Sequence, residues 1–514
     1  MDKSRPLSYP IPGIEENLAE RERKIVAFED PGKFKDMEIE EFRRQAHGLV
    51  DWMAAYLAGV GDYPVRAQVQ PGEIAERLPE AAPQQGETME AILKDFQEIV
   101  LPGMTHWQHP SFFAYFPANA SPPSVLAEML TATLAAQCML WQTSPAATEM
   151  ETRVLDWLRD LLGLPEGLQG VIQPTASDAT LAALLVAREQ ATGWRANEAG
   201  LAALGAEGLR LALYVSEEAH SSVEKGARIA GYGGDAVRKI ACDDRFALRP
   251  EALAAAIAAD RAAGITPACV VATLGTTGTS GVDPLRAIGE ICRREGIYLH
   301  VDAAWAGSAL VLPEQRWMIE GVEAADSFVM NPHKWLLTNF DCTAHWVRDA
   351  EALQRTFAIN PAYLTSAETG RVIDYRDWGV PLGRRFRALK LWFVLRSYGA
   401  ENLRALIADH IRWTEELAAE VDAHPDFEVT SAPALALFSF RYHPRGLDDE
   451  AALDALNERL VAALNDSGRL YLTQNRVRGR YALRFSVGAR NTTRDHVLAA
   501  WEVIRAEAER LAAA

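Results

Sequence analysis

Lys334 and His333 stand side by side between two apolar stretches, in FVMNPHKWLLTNFD, residues 328 to 341. An unpaired ammonium in an apolar setting is costly, so such a lysine lowers its pKa instead. The neutral amine that results is a nucleophile. Other reactive residue types recur in comparable places. Asp302 follows the apolar run from Ile297 to Val301 and precedes Ala303 and Ala304. His220 comes just past LYVSEEA, and Thr276 and Thr277 follow VVATLG. PTASDAT, residues 174 to 180, follows Val171-Ile172 and opens a helical stretch. Its small residues and helix N-terminus can present backbone N–H groups to an anion such as phosphate.

Singly, each has a plain reading. Asp302 fits a helix cap or a structural ion pair, Lys334 a surface lysine in a turn, and His220 a hydrogen-bonded structural histidine. PTASDAT alone is a capped helix start. Together they fall at the expected ends of strands in one sheet, where ligands of open α/β sheets collect. A buried carboxylate, a reactive lysine, an aromatic cover and a phosphate cradle suggest pyridoxal 5'-phosphate. That cofactor needs a lysine for its aldehyde and an acid beside its ring nitrogen.

The elements that must carry these residues are legible in the hydrophobic rhythm. Between residues 210 and 334 short β-rich runs alternate with helices: LALYV (211–215), VRKIAC (237–242), ACVVATL (268–274), IYLHVDAA (297–304) and SFVMN (327–331). Such alternation predicts a mostly parallel sheet with helices on both faces. In DPLRAIGEICRREG, Asp283 reads as the helix cap, Pro284 as the first turn and Gly296 as the stop. Residues 37–60 and 121–190 have helical spacing, the latter interrupted at LGLPEGLQGVIQPTAS. HPSFFAYFPANASPP is too proline-broken for regular structure. Helices at 401–423 and 448–466, four strand-like runs and a closing amphipathic helix predict a small C-terminal α+β domain.

The chain has 514 residues, too many for one core, with 49% hydrophobic and 24% charged residues. A net charge of −18 argues against nucleic acid or an anionic membrane as partner. Cys138, Cys242, Cys269, Cys292 and Cys342 form no close-spaced pair, as expected of reduced thiols in a cytoplasmic protein. The N-terminal stretch has no apolar core of a secretory signal, and no window reads as a membrane span. The expected organisation is an N-terminal extension (1–36), a helical segment packing on a partner subunit (37–120), a large cofactor-binding domain (121–390) and a small α+β domain (391–514).

The motifs THWQHPSFFAYFP (105–117), SPAATEMET (144–152), AHSS (219–222), VATLGTT (271–277), HVDAAWAGSA (300–309), NPHKWLLTNFDC (331–342) and PLGRRFRALKLWFVLRSYG (381–399) closely resemble the pyridoxal-phosphate-dependent aromatic-L-amino-acid decarboxylases, the group II decarboxylases. The resemblance runs from about residue 37 to the C-terminus. It implies the type I (aspartate aminotransferase-like) pyridoxal-phosphate fold and a homodimer with shared active sites. It implies no metal. Lys334 would form the Schiff base and His333 touch the phosphate, with Asn331 and Pro332 holding the turn. Asp302 would pair with the pyridinium nitrogen, His220 stack over the ring and Ala304 pack beneath it. Thr175, Ala176 and Ser177 resemble phosphate binders, and Thr277 a cofactor or substrate-carboxylate contact. Pro174 departs from the usual glycine before this loop and removes one N–H.

By the same resemblance Trp107, Tyr115, Phe116 and Pro117 line the pocket for an aromatic side chain, and Met139 reaches in from the other subunit. Tyr363, in FAINPAYLTSAETG, assists protonation at Cα of the quinonoid left when carbon dioxide departs. Gly383 stands where indole-preferring relatives tend to carry glycine. Ala118 stands where catechol-handling relatives often carry a hydroxyl. Among tryptophan, phenylalanine, tyrosine and DOPA, both point toward tryptophan or phenylalanine over heavily hydroxylated rings. An aromatic pocket argues against a glutamate decarboxylase. An aldehyde synthase, which adds oxidative deamination on the same fold, is the alternative, with His220 and Tyr363 both decarboxylase-like. A cofactor-free scaffold is opposed by the presence of Lys334 and Asp302.

Overall fold

The computed structural model describes residue 34, residues 36–359 and residues 370–513. Nearly all of the expected N-terminal extension, and Tyr363, lie outside the described residues. Two compact units are present, Met1–Tyr56 and Leu57–Ala514. The first contains most of helix α1 (Ile39–Gly59), none of whose residues is buried.

The second unit is built on a seven-stranded sheet. Its strands are β1 (Gln169–Gln173), β2 (Leu211–Ser216), β3 (Val237–Ile240), β4 (Thr266–Thr273), β5 (Tyr298–Asp302), β6 (Ser327–Met330) and β7 (Thr343–Val347). They lie in the order β1-β7-β6-β5-β4-β2-β3. Only β7 runs against its neighbours, pairing antiparallel with β1 and β6. The ends of β1, β2, β4, β5 and β6 therefore share one edge. Buried on both faces, the central strands read as near-continuous apolar runs. Leu299, Val301, Phe328 and Ala344 fill one face, packed with α2 (Pro122–Leu134), α3 (Pro145–Leu162) and α9 (Arg387–Ala423). Leu213, Val215, Cys269, Val271 and Tyr298 fill the other, under α4 (Ala176–Ala191) and α5 (Ser221–Ile229). Helices α6 (Pro250–Ala262), α7 (Leu285–Glu295) and α8 (Ala350–Phe357) complete the wrapping.

Helix α9 spans Arg387–Ala423 but breaks at Gly399, whose φ of 68° no continuous helix accommodates. The sequence shows only the half beyond this break, which is why a helix from 401 is what periodicity predicts. The boundary expected at 390/391 falls inside α9. A second sheet, ordered β10-β11-β9-β8, holds β8 (Phe427–Ala434), β9 (Leu437–Tyr442), β10 (Thr473–Val477) and β11 (Arg480–Ser486), with α10 (Glu450–Asp466) and α11 (Arg494–Ala512).

Asp283 is not the cap of α7. Pro284 takes the capping position, and the Asp283 carboxylate turns inward. It accepts from Leu248 N–H at 2.8 Å and Thr273 N–H at 2.7 Å. Burial pushes its pKa up to about 7, against those two bonds. It is a strut for the loop after β4, a role that local spacing does not reveal. Gly296 ends the helix in the left-handed region, as expected.

Candidate active site

Beyond β6 the chain turns through Asn331 into a single helical turn, Pro332–Trp335. Three links hold that turn. Asn331 N–H donates to the Ala304 carbonyl at 2.9 Å. The Thr343 hydroxyl stands 2.7 Å from Asn331 Oδ1 and 3.2 Å from the Pro174 carbonyl, joining the turn to the loop after β1. Asn119 Nδ2 donates to the carbonyls of Lys334 at 2.7 Å and Gly488 at 2.8 Å. Under the turn lies an aromatic stack. Phe116 and Trp305 are 4.3 Å apart between centroids, and Trp305 and Trp335 are 4.9 Å apart.

Lys334 keeps part of its surface open, yet its amine is enclosed. Burial lowers its pKa to about 8, Arg484 pushes the same way, and Asp302 opposes both. About a tenth of the amine is then neutral at pH 7. Asp302 ends β5, buried, with Oδ1 accepting from Ala304 N–H at 3.0 Å. His220 caps α5, its Nδ1 accepting from Ser222 N–H at 3.2 Å, so Nε2 carries the proton when the ring is neutral. Burial lowers its pKa, Asp302 opposes, and Lys334 lowers it further. All three groups thus share one field.

His333 is neutral and of known tautomer. Burial holds it down to about 3, and its Nδ1 accepts from Cys342 N–H at 3.0 Å. The remaining nitrogen, Nε2, is a donor. At the start of α4, a capping box pairs Thr175 with Asp178. The N–H groups of Ala176 and Ser177, in the first turn, have no intrahelical partner and remain available to an anion. Pro174 leaves no N–H of its own, and its carbonyl serves Thr343 instead. Thr277 is exposed, its carbonyl taken by Arg484 Nε at 2.8 Å.

Spacing did not disclose Arg484. It projects from β11 of the small sheet, with Nη1 donating to the Tyr115 carbonyl at 2.5 Å and its guanidinium 4.5 Å from the Phe116 centroid. It is almost wholly buried, Nη2 has no partner among the described residues, and burial drops its pKa to about 9. A charged residue inside the apolar run YALRFSV was the available signal. Asn119 and Trp305 were also missed. Their contacts are with residues hundreds of positions away or with a neighbouring loop, and no local pattern marks them.

Of the residues expected to line the aromatic pocket, Trp107 packs with Tyr115, whereas Phe116 stacks on Trp305. Trp107 and Tyr115 stack at 5.7 Å, and Tyr115 adopts a φ of 47°. Pro117 packs where a side chain at Gly488 would meet it, and the Ala118 carbonyl accepts from Gln108 Nε2 at 2.6 Å. Met139 and Gly383 sit together elsewhere on the chain. The Met139 carbonyl accepts from Arg376 N–H, and a Cβ at Gly383 would lie 3.3 Å from Gln137 Nε2. No described hydrogen bond joins either to the Lys334 group. An enclosed amine, an acid for a ring nitrogen, an imidazole donor and free helix N–H groups fit pyridoxal phosphate.

Comparison with known proteins agrees. Residues 71–443 match the model of the pyridoxal-dependent decarboxylase conserved domain. A phenylacetaldehyde synthase of Arabidopsis thaliana is 43% identical over 488 residues, covering 93% of this chain and 98% of that protein. An aromatic-L-amino-acid decarboxylase of Sus scrofa is 44% identical over 489 residues, with the same coverage. The crystal structure of Oryza sativa TDC with PLP and tryptamine superimposes with a TM-score of 0.89 at 36% identity, covering 93% of this chain and all of that one.

Proposed function

The chain belongs to the pyridoxal-dependent decarboxylase family, and from that premise we propose that it removes the α-carboxylate of an aromatic L-amino acid, giving the arylalkylamine and carbon dioxide. It is a pyridoxal-phosphate-dependent carboxy-lyase. When bound, the cofactor supplies an aldehyde for amines and a ring that takes up the electron pair freed as carbon dioxide leaves.

The chain's own side chains do the rest. Lys334 Nζ is the nucleophile, kept partly neutral by burial. Asp302 would hold a proton on the ring nitrogen. With the cofactor bound, His220 and Ala304 would hold its ring. His333 Nε2, Thr175, and the N–H groups of Ala176 and Ser177 bind the phosphate, while Asn331 fixes the turn. Thr277 would contact the cofactor or the substrate carboxylate, and Arg484 Nη2, without a partner among the described residues, would be available to that carboxylate. Trp107, Tyr115, Phe116, Pro117 and Ala118 bind the aromatic side chain and exclude water. Tyr363, outside the described residues, would assist protonation at Cα.

The working unit in this reading is a homodimer, with Met139 and Gly383 completing the pocket of a second copy. Leu126, Leu130 and Leu134 support it. They form one stripe along α2 and are 53%, 47% and 63% exposed, an apolar strip of the kind that marks a protein–protein contact. Gel filtration with activity on dilution tests this, and a fully active monomer would contradict it. No helix of the described residues is long and apolar enough to cross a membrane. All five cysteines are free and four of them are buried, which supports a cytoplasmic setting.

The enclosed amine of Lys334 beside Asp302 carries the proposal. Borohydride reduction of the reconstituted protein, followed by peptide mapping, should fix the cofactor on Lys334. Attachment to another lysine would overturn the assignment. The phenylacetaldehyde synthase among the relatives makes product identity a separate question, settled by measuring amine against aldehyde and hydrogen peroxide.

A further inference from the structure

The sheet face beneath α4 carries polar residues that the proposed chemistry does not use. His300 lies two residues before Asp302 on β5, so both side chains point to this face. It is fully buried. Its Nε2 is 3.3 Å from Thr180 Oγ1 and its Nδ1 is 2.7 Å from Ser327 Oγ. Thr180 is on α4, one turn beyond Ala176. Ser327 opens β6, the strand that runs into Lys334, and is the direct neighbour of His300 in the sheet.

One imidazole therefore ties together the three elements that present the site. The tie to α4 has no backbone substitute. Helix α4 comes off β1, and β1 is separated from β5 by β7 and β6. Nothing in the strand ladder fixes the start of α4 directly against Asp302. His345 supplies a contrast on the same face, 6.2 Å away between ring centroids. Both its nitrogens lack a partner among the described residues, so burial of a histidine here does not by itself bring hydrogen bonds.

Pyridoxal phosphate is a rigid ring with its nitrogen and its phosphate at different corners. Asp302 and the start of α4 must meet those corners at a fixed separation. We infer that His300 is a positioning residue, whose bond to Thr180 sets the register between the phosphate-binding end of α4 and the ring-binding end of β5. The inference rests on the placement of the ring nitrogen at Asp302 and the phosphate at Thr175–Ser177.

Thr180→Val removes this one bond, keeps the shape and touches no site residue. Dissociation constants of the apoenzyme are compared for pyridoxal phosphate, for inorganic phosphate and for pyridoxal. Each of the last two engages one end only and is indifferent to register. Thr180→Val should weaken pyridoxal phosphate about tenfold, the scale of one lost buried hydrogen bond. It should leave phosphate and pyridoxal within twofold of wild type, and Thr180→Ser should restore the affinity. Wild-type affinity for pyridoxal phosphate in Thr180→Val would overturn the inference, as would an equal loss for phosphate alone. Failure of the underlying placement shows differently. If Asp302→Asn leaves pyridoxal phosphate affinity unchanged, the ring nitrogen is not at Asp302 and the inference falls with that placement.

Discussion

Lys334 Nζ stands 5.1 Å from the centroid of the Phe116 ring, and the Arg484 guanidinium lies 4.5 Å from the same centroid. Two cations share one aromatic face system, and neither has a carboxylate in direct contact among the described residues. The arrangement keeps Lys334 poised to lose its proton, because burial and Arg484 both disfavour the ammonium. The rate at which the apoenzyme captures pyridoxal phosphate should climb with pH through about 8 and then level. Arg484→Met removes a repelling charge, so the midpoint should move to higher pH. A midpoint that stays or falls would show that Arg484 does not act on the amine.

Lys334→Ala should fold and still bind the cofactor non-covalently, because Asp302, His333 and the start of α4 remain. Turnover should drop by several orders of magnitude. Retention of more than a small fraction of the wild-type rate would place the nucleophile elsewhere.

Asp302→Asn keeps the shape and removes the charge proposed to hold a proton on the ring nitrogen. The rate of carbon dioxide release should fall far more than the cofactor affinity does, although that affinity should fall measurably. A rate near wild type would mean that another residue serves the ring nitrogen.

Acid should unfold the protein through its buried histidines. Burial holds His300, His333 and His345 at about 3, and His109 and His410 at about 4. Their folded values lie below the unfolded value of 6.5, so the unfolded chain takes up protons first. Stability is full above pH 6.5 and is lost progressively toward pH 3 to 4, by roughly 2 kcal/mol per histidine at pH 5. His345 has no hydrogen-bond partner at either nitrogen among the described residues, so His345→Leu should keep the melting temperature at pH 7.5 and flatten its fall toward pH 5. An unchanged slope would contradict this account of His345.

Much of this was legible in the sequence because the reactive residues sit at strand ends, and strand ends are visible as the limits of apolar runs. Asp302, Lys334, His220 and the PTAS loop were placed by that signal alone. Their roles came from family motifs. What was not legible depends on distant partners. Asp283 looks like a helix cap until Leu248 and Thr273 are seen to claim its oxygens. Arg484 reaches the lysine from a different sheet, and His300 reads as one more strand residue until Thr180 and Ser327 flank it. Helix α9 does not read as one continuous helix in the sequence because Gly399 breaks its period.

The most direct test is product stoichiometry. The protein reconstituted with pyridoxal phosphate is given L-tryptophan, L-phenylalanine, L-tyrosine and L-DOPA in turn, under air. Carbon dioxide, amine, aldehyde, ammonia and hydrogen peroxide are measured together. A decarboxylase should yield one amine per carbon dioxide with no peroxide, and faster with tryptophan or phenylalanine than with DOPA. No carbon dioxide from any of the four would contradict the account. So would aldehyde, ammonia and peroxide in place of the amine, since those products require oxygen to take the electrons that protonation at Cα would have retained.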